Sequence, residues 1–248
     1  MIKIENVEVA GWEAAIRGMR NPMNSWEKSD SFECCRNTPI FGECEKCIHH
    51  AGEEPKDICD RGDDPFVVGA NDHYLMMRLR NAGTDHRKFM RMITVYMDVT
   101  APLYWWKEMD TYQVGVVKNS CSTMHKIAEK EFTLEDFSCE HLNRFVEDVG
   151  GDVAPVHDFK QPLEFTIKNL NVARRLYLET KDKKYWWQMI QLLPSSYNQR
   201  RTVMLNYEVL ANIYKSRCNH KLDEWRELCK WIETLPYSEL ITGDVKGE

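Results

Sequence analysis

The chain has 248 residues, of which 43% are hydrophobic and 29% are charged, and its formal net charge is −6. This composition is typical of a folded domain and excludes disorder over most of the length. The acidic balance argues against a dedicated duplex nucleic-acid binder, and no apolar run approaches the ~18–20 residues of a membrane helix. The first residues lack the apolar core of a signal peptide, so we expect a cytoplasmic protein.

The N-terminal quarter contains a predicted strand, a helix and an irregular segment. Residues 1–10 alternate in polarity as strands do, and residues 12–19 predict a short helix. Residues 21–65 hold four prolines, many charges and five of the nine cysteines. This pattern predicts an insertion without a core of its own, and we place its cysteine-bearing part at residues 31–65.

The next elements are predicted from helix-end signals and from alternation. Residues 71–82 predict a helix that ends at Gly83, since glycine is favoured just after a helix. Residues 92–99 alternate and predict a strand. Thr100 is a good N-cap and Pro102 suits a first helical turn, so a helix is expected up to residue 110.

The C-terminal third is predicted to be helical. After a mixed segment, four helices are expected, over residues 162–180, 183–192, 197–217 and 222–234. No internal repeat is present. We therefore expect a single α+β domain over residues 1–248, with the cysteine-rich insertion and a helical C-terminal third.

The clustered cysteines predict a structural zinc site or a flexible thiol-bearing loop. Cys44 and Cys47 form a C-x2-C knuckle, and a metal would explain how so polar a segment becomes ordered. The predicted zinc ligands are Cys35, Cys44, Cys47 and Cys59. Cys34 is an alternative to Cys35, and His49 or His50 to one of the cysteines.

The predicted helix 197–217 offers a candidate ligand-binding face. Asn206 and Arg217 are eleven residues apart, about three turns and roughly 16 Å, so they share one face with Leu210 and Ile213 between them. Two polar ends on an apolar stripe can bracket a long ligand or a subunit contact. The alternative is a core helix with a capping asparagine and a surface arginine.

Residues 119–126 are rich in hydroxyl groups and offer a second candidate. Small polar residues of this kind expose donors that suit an anion. If the segment is helical, Asn119, Ser122 and Lys126 lie on one face. The alternative is an N-capping turn, where serine, threonine and asparagine are favoured in any case.

Three separated stretches follow a recognisable order. The first is Asn-Ala-Gly-Thr-Asp-His-Arg-Lys-Phe at 81–89, ahead of the predicted strand, and the second is the Ala-Pro helix start at 101–108. The third is the order Leu193-Pro194, Asn206, Asn212 and Arg217. Together they resemble the flavin-dependent thymidylate synthases, over a little more than 40% of the chain.

The resemblance implies the α+β fold of that family and a one-carbon transfer from methylene-tetrahydrofolate to C5 of dUMP or a related pyrimidine nucleotide. FAD would carry the reduction, with NADPH and methylene-tetrahydrofolate as cosubstrates. Active sites would be shared within a homotetramer. Such chemistry depends on orientation and charge stabilisation, so we expect no catalytic side chain.

The resemblance implies binding roles for His86, Asn206, Asn212 and Arg217, and the basic and hydroxyl-rich segments described above supply the other candidates. The expected flavin-binding residues are His86, Arg87, Arg91, Asn206 and Asn212. The expected nucleotide-binding residues are Lys107, Gln113, Asn119, Ser122, Lys126 and Arg217. For the basic residues 86–91, the alternative is an exposed turn without a ligand.

The chain departs from the family at its signature. Thr111-Tyr112-Gln113 stand where the family has Arg-His-Arg, and Glu208 stands where it has a further helix arginine. An arginine fork holds a phosphate by two charged bonds, whereas these neutral side chains supply only single ones. Two other functions therefore stay open: a non-catalytic nucleotide-binding or assembly homologue, and a zinc-dependent interaction protein.

Overall fold

The protein is described by a computed structural model that covers residues 2–33, 66–147 and 156–243. The strands are β1 (Lys3–Ala10), β2 (Phe32–Glu33), β3 (Phe66–Val67), β4 (Thr94–Pro102), β5 (Val117–Ser120), β6 (Val146–Glu147), β7 (Val156–His157) and β8 (Asn198–Asn206). The helices are α1 (Trp12–Arg20), α2 (Ala70–Asn81), α3 (Leu103–Met109), α4 (Thr123–Lys126), α5 (Gln161–Thr180), α6 (Lys183–Leu192), α7 (Tyr207–Arg217), α8 (Asp223–Ile232) and α9 (Glu239–Thr242). The expected α+β class and the helical C-terminal part are confirmed.

A four-stranded sheet has the order β1-β4-β8-β5, and two short antiparallel pairs join β2 to β3 and β6 to β7. In β4, Val95, Met97 and Val99 are buried, while the residues between them are exposed or half-buried. This alternation follows from the two-residue period of a strand. It explains why residues 92–99 were predictable as a strand from sequence.

Backbone contacts divide the chain into two compact units. Unit one holds the described residues of Met1–Glu5, Asp98–Gln113 and Lys118–Val203. Unit two holds those of Asn6–Met97, Val114–Val117 and Met204–Glu248. The expected insertion at 31–65 belongs to unit two by sequence, and apart from its first three residues it lies outside the described residues.

The core of unit one forms where α5 packs on α6. Leu170 and Met189 are fully buried there, and Phe137 contacts Tyr197 edge to face at 5.6 Å between ring centroids. Aromatic edge-to-face pairs add to the free energy gained from burial alone. The core residues are Ile127, Ala128, Phe132, Phe137, Leu163, Ile167, Leu170, Ala173 and Met189.

The core of unit two is built around aromatic rings. Trp12 of α1 meets Tyr207 of α7 and Tyr237, with ring centroids 5.4 and 5.2 Å apart. Helix α7 packs on α8, on α9 and on the 3-10 helix Arg87–Arg91. Trp12 and Tyr207 are buried, and the contact of α7 with the 3-10 helix carries the candidate site.

Glycine permits a close backbone approach at the start of α1. Gly11 has φ +94°, a conformation that residues with a Cβ rarely adopt, and a Cβ there would lie 2.1 Å from the carbonyl oxygen of Met92. Glycine alone avoids both penalties. The beginning of α1 can therefore lie directly against Met92, two residues before β4.

One predicted helix is wrong in its first half. Residues 197–217 do not form one helix, because residues 198–206 are strand β8 and α7 begins only at Tyr207. Val203 and Leu205 are buried with Met204 half-exposed between them, which is the period of a strand. The helical stripe of Leu210 and Ile213 does not extend back into this segment.

The start of α3 also differs from the prediction. Thr100 is not its N-cap, because β4 continues to Pro102 and Pro102 itself precedes the first helical residue. The N–H groups of Leu103 and Tyr104 donate to backbone carbonyls of Tyr197 and Ser195, each at 3.0 Å. These carbonyls satisfy donors that a side-chain cap would otherwise serve.

The helices of the described segments were also searched for a membrane span. None of them combines the length and the apolar character needed to cross a bilayer.

Candidate functional site

Two distant segments of unit two meet in a charged cluster. Arg87 donates from Nη2 to Oδ1 of Asn212 at 3.1 Å and from Nε to Oε1 of Glu208 at 3.4 Å. Arg91 donates from Nε to Oε2 of Glu208. We call Arg87, Arg91, Glu208 and Asn212 the arginine cluster. Its members lie up to 125 residues apart in the chain.

Burial and charge determine the ionisation of the arginine cluster. The side chain of Glu208 is only 7% exposed, against 16% for Arg87 and 57% for Arg91. Burial alone would raise the pKa of Glu208, but hydrogen bonds and charge from Arg91 and Arg87 outweigh it and lower that pKa. The hydrogen bond and the charge of Glu208 in turn raise the pKa of Arg91. Two guanidinium groups and one carboxylate leave a net charge of +1.

His86 and Arg91 delimit the 3-10 helix that carries both arginines. His86 is its exposed N-cap residue, and the N–H groups of His86 and Arg87 donate to the carbonyl of Gly83, each at 3.1 Å. Gly83 has φ +107°, as expected for a glycine that follows the C-cap residue of a helix. The predicted Gly turn thus orients Arg87 toward α7. The structure brings Arg87, Arg91 and Asn212 together through Glu208, and their role in flavin binding stays a prediction.

Asn206 lies at the junction of β8 and α7. Its Oδ1 accepts from the N–H of Val209 at 3.0 Å, so it is the N-cap of α7 and not a residue of the helix face. The expectation that Asn206 and Arg217 share a helical stripe is therefore wrong. Gly115 has φ +72°, and a Cβ there would lie 2.8 Å from Nδ2 of Asn206. Glycine lets the 114–117 segment approach this amide.

Loss of the Asn206 cap has a measurable cost. We expect Asn206→Ala to lower the free energy of unfolding by about 1 kcal/mol, because the N–H of Val209 loses its acceptor. Urea denaturation followed by circular dichroism measures the change. Asn219→Ala is the control, since Asn219 is an exposed asparagine of the same unit. An equal loss in both variants would contradict the assigned capping role.

Arg217 lies at the other end of α7. Its Cζ lies over the ring of Trp225, 4.7 Å from the centroid, and Trp225 is fully buried. A cation stacked on an indole is held in one orientation and is favourable near a helix C-terminus. The nine residues from Glu208 to Arg217 correspond to roughly 13 Å along the helix. Arg217 is therefore separate from the arginine cluster.

The predicted face of Asn119, Ser122 and Lys126 does not form. Asn119 lies in strand β5, and Ser122 is the N-cap of the single turn α4, where its Oγ accepts from the N–H of His125 at 3.1 Å. Lys126 is exposed and pairs with Glu129. The helical face is wrong because the segment changes from strand to helix at Cys121. The N-capping alternative describes this segment.

The other two predicted nucleotide-binding residues lie on the surface of unit one. Lys107 is exposed in the last turn of α3. Gln113 is exposed as well, and its Nε2 donates to the carbonyl of Asp110 at 3.4 Å. Neither side chain is buried, so both can reach a ligand without a change in the core.

Unit one contains a cationic group that the sequence did not reveal. Arg201 donates to Asp110 at 2.8 Å, and Lys118 pairs with the same carboxylate at 3.3 Å. The guanidinium of Arg201 also lies over the ring of Trp106, 4.2 Å from the centroid. Because residues 197–217 were predicted as one helix, Arg201 was not recognised as a candidate. Arg201, Val203 and Leu205 occupy every second position, and this two-residue period was the available signal for a strand.

A cleft of 460 Å³ also lies in unit one. Its lining includes Tyr104, Cys139, His141, Leu163 and Pro194. The volume falls in the range of small-molecule sites. None of these residues was predicted as a site residue, although Pro194 belongs to the Leu193-Pro194 pair that entered the resemblance.

The predicted zinc ligands Cys35, Cys44, Cys47 and Cys59 lie outside the described residues. Within residues 2–33, 66–147 and 156–243, no group of three or more histidine, cysteine, aspartate and glutamate side chains is placed to hold a metal ion. The zinc site therefore stays a prediction from the cysteine spacing.

Comparisons with known sequences gave no relative. No protein-family model matches the chain, and a search of curated proteins found no match either.

Comparisons with solved structures found similar folds at low identity. Two structures of the flavin-dependent thymidylate synthase ThyX from Helicobacter pylori, both with FAD and dUMP, give TM-scores of 0.59 and 0.61 at 16% and 15% identity. The first match covers 96% of this chain and 98% of the other, and the second covers both chains fully. The UMP/dUMP methylase PolB from Streptomyces cacaoi, bound with 5-Br dUMP, gives 0.52 at 15% identity, covering 94% and 89%. The chain thus has a divergent form of the fold of the flavin-dependent thymidylate synthases.

Proposed function

We propose that the chain binds FAD and a pyrimidine nucleotide and transfers a one-carbon unit to C5 of dUMP or a related nucleotide. The observation that carries this proposal is the contact between Arg87 and Asn212. These residues come from two stretches that the family resemblance selected separately, and they meet in the arginine cluster. The similar structures were solved with FAD and dUMP or with 5-Br dUMP, which supports both ligand classes.

The donor set of the arginine cluster fits a flavin phosphate. Arg91 is more than half exposed, so the outer part of its guanidinium is accessible to an anion. Arg87, His86, Asn206 and Asn212 are the further residues that we propose to hold the flavin. FAD reduced by NADPH would supply hydride to the one-carbon unit that methylene-tetrahydrofolate delivers. The side chains of this chain would bind and orient, and none is proposed as a nucleophile.

We propose that the nucleotide is held by cationic and amide side chains. Arg217 is the candidate for the phosphate, because its stacking on Trp225 fixes the guanidinium in place. The remaining candidates are Lys107, Gln113, Asn119, Ser122 and Lys126. A homotetramer with shared sites and a cytoplasmic location belong to the same proposal.

A second candidate is a nucleotide-binding relative without catalysis. Thr111-Tyr112-Gln113 lack the charges of the family signature, and Glu208 places a carboxylate among the flavin-binding candidates. Such a chain would bind the nucleotide and have no turnover. A structural zinc in the cysteine segment is compatible with either candidate.

Flavin retention and isotope release test these two functions. We expect purified protein reconstituted with FAD to keep an absorption band near ~450 nm after desalting. With reduced flavin and methylene-tetrahydrofolate, we expect release of tritium from dUMP labelled at C5, because substitution at C5 expels that hydrogen. The control is the same assay with labelled uridine, which lacks the phosphate.

Each result selects one function. A colourless protein after desalting overturns flavin binding. Nucleotide binding in equilibrium dialysis without tritium release supports the non-catalytic candidate. Tritium release from dUMP but not from uridine supports the enzyme.

A further inference from the structure

Two nearly buried cations of unit one hold a single carboxylate oxygen between them. Nη1 of Arg201 donates to Oδ1 of Asp110 at 2.8 Å, and Nζ of Lys118 lies 3.3 Å from the same oxygen. The side chains of Arg201 and Lys118 are 14% and 13% exposed, whereas that of Asp110 is 46% exposed. We call Arg201 and Lys118 the cation pair. Asp110 is its more accessible partner.

Arg201 is held in place by groups other than Asp110. Its guanidinium carbon lies 4.2 Å from the ring centroid of Trp106, which is buried, and its Nε donates to Oε1 of Gln199 at 3.0 Å. A ring against the guanidinium plane and an acceptor at Nε leave the edge that carries Nη1 to an anion. The carboxylate of Asp110 occupies that edge.

Lys118 is held by the segment that stands where the family has Arg-His-Arg. Its Nζ donates to the carbonyls of Met109 and Tyr112, at 2.9 and 3.0 Å. An ammonium group has three N–H donors, so the third one serves Asp110. Residues 111–113 carry no charge themselves. The cation pair therefore places two positive charges beside a segment that lacks them.

We propose that the cation pair binds the phosphate of the nucleotide and that Asp110 competes with this phosphate for it. The inference rests on the proposed nucleotide binding and deepens it, because it adds the cation pair to Arg217 as a candidate for the phosphate. A phosphomonoester carries between about −1.5 and −2 near neutral pH. The two positive charges of the pair balance that charge, whereas a carboxylate brings only one.

Displacement of Asp110 requires no change in the core. Its side chain is nearly half exposed and can turn into water, which leaves the position of Oδ1 to a phosphate oxygen. The contacts of Arg201 with Trp106 and of Lys118 with backbone carbonyls are kept. A site whose donors are already oriented loses little entropy when it binds an anion.

Replacement of Arg201 tests the site. Arg201→Gln removes one charge of the cation pair together with its Nη donors. We expect the affinity for dUMP to fall about 10-fold, because a charged hydrogen bond to phosphate is lost. We expect the affinity for deoxyuridine, which lacks the phosphate, to stay the same. Isothermal titration calorimetry of the full-length protein measures both affinities, and their ratio isolates the contribution of the phosphate.

Arg200→Gln is the matched control. Arg200 is the neighbouring residue of β8, and its Nη2 donates to Oδ2 of Asp98 at 2.7 Å. Successive side chains of a strand point to opposite faces, so this variant removes the same charge on the other side of β8. We expect no change in the ratio of affinities. An equal fall in both variants would show an effect of overall charge and would overturn the proposal.

Asp110→Asn tests the competition and does not depend on the folding of Arg201→Gln. Asparagine keeps an acceptor oxygen for Arg201 and loses the negative charge. We expect the ratio of dUMP affinity to deoxyuridine affinity to rise about 10-fold. Glu164→Gln is the control, since it removes the same charge from a pair with Arg144 in the same unit. A rise of equal size in this control would contradict the competition.

The remaining outcomes separate this inference from the proposed function. If the wild type binds dUMP and neither Arg201→Gln nor Asp110→Asn changes the ratio, the inference is refuted and nucleotide binding stands. If Asp110→Asn binds dUMP and the wild type does not, the competition is supported and the proposed function of the wild type fails. If neither protein binds dUMP, both proposals fail.

Discussion

Replacement of Asp72 by alanine is expected to lower the free energy of unfolding by about 3–5 kcal/mol. Asp72 is fully buried, Arg20 is 4% exposed, and Nε of Arg20 donates to Oδ1 of Asp72 at 2.6 Å. Removal of the carboxylate leaves the guanidinium buried without its counter-charge. Losing one partner of such a pair costs far more than losing a surface pair.

The second oxygen of Asp72 enlarges this effect. Oδ2 accepts from the hydroxyls of Ser29 and Ser31, at 2.7 and 2.6 Å, and from the N–H groups of Asp30 and Ser31, each at 3.1 Å. One carboxylate thus ties residues 29–31 to helix α2. Each donor left without an acceptor adds its own desolvation cost.

Urea unfolding measures this change in stability. Glu13→Ala is the matched control, because it removes a carboxylate from an exposed pair with Arg17 and is expected to cost less than about 0.5 kcal/mol. Similar losses in the two variants would show that the buried network contributes no more than a surface pair.

The same network predicts the pH dependence of stability. Burial alone would raise the pKa of Asp72, but hydrogen bonds from Ser31, Ser29 and Arg20 lower it below the ordinary value of 3.8. A lowered pKa in the folded state contributes stability above pH 3.8 that is lost as the pH falls through the folded value. Asp72→Asn is therefore expected to flatten the fall in unfolding free energy below pH 4, compared with the wild type.

Replacement of Arg87 by alanine is expected to weaken FAD binding by about 10- to 100-fold. Arg87 is the arginine that contacts both Glu208 and Asn212, and without it the net charge of the cluster falls from +1 to zero. Loss of a charged hydrogen bond of about 1.5–3 kcal/mol accounts for a change of this size. Flavin fluorescence titration measures it.

Lys88 is the control for Arg87. It is exposed and adjacent in sequence, so Lys88→Ala removes one positive charge from the same turn without touching the cluster. We expect less than about a twofold change, because exposed charges are screened by salt. If both variants lose affinity equally, Arg87 acts only through its charge and does not contact the flavin.

Local signals were sufficient to predict several elements. Helix α2 was predicted at 71–82 and lies at Ala70–Asn81, since its periodicity and the following Gly83 are encoded within a few residues. Helices α5 and α6 were predicted within one residue of their ends. In each case the apolar period and the end signals are contained in the segment itself.

Strand β8 and the start of α3 depend on hydrogen bonds to distant parts of the chain, and these local signals did not predict them. Residues 198–206 form strand β8 because β4 and β5 lie on either side of it in the sheet. The hydrogen bonds that hold β8 therefore come from other parts of the chain. The first N–H groups of α3 likewise find their acceptors at Ser195 and Tyr197. A local pattern contains no information about such partners.

The sequence by itself determined the α+β class, the positions of the autonomous helices and the identity of Arg87, Arg91 and Asn212 as candidates. Only the tertiary structure decided that Glu208, 121 residues from Arg87, neutralises part of their charge. It also decided that Asn206 is the N-cap of α7 and that Ser122 is the N-cap of α4. The physical reason is that periodicity and capping act over a few residues, whereas the charge of a site is the sum of groups brought together by folding.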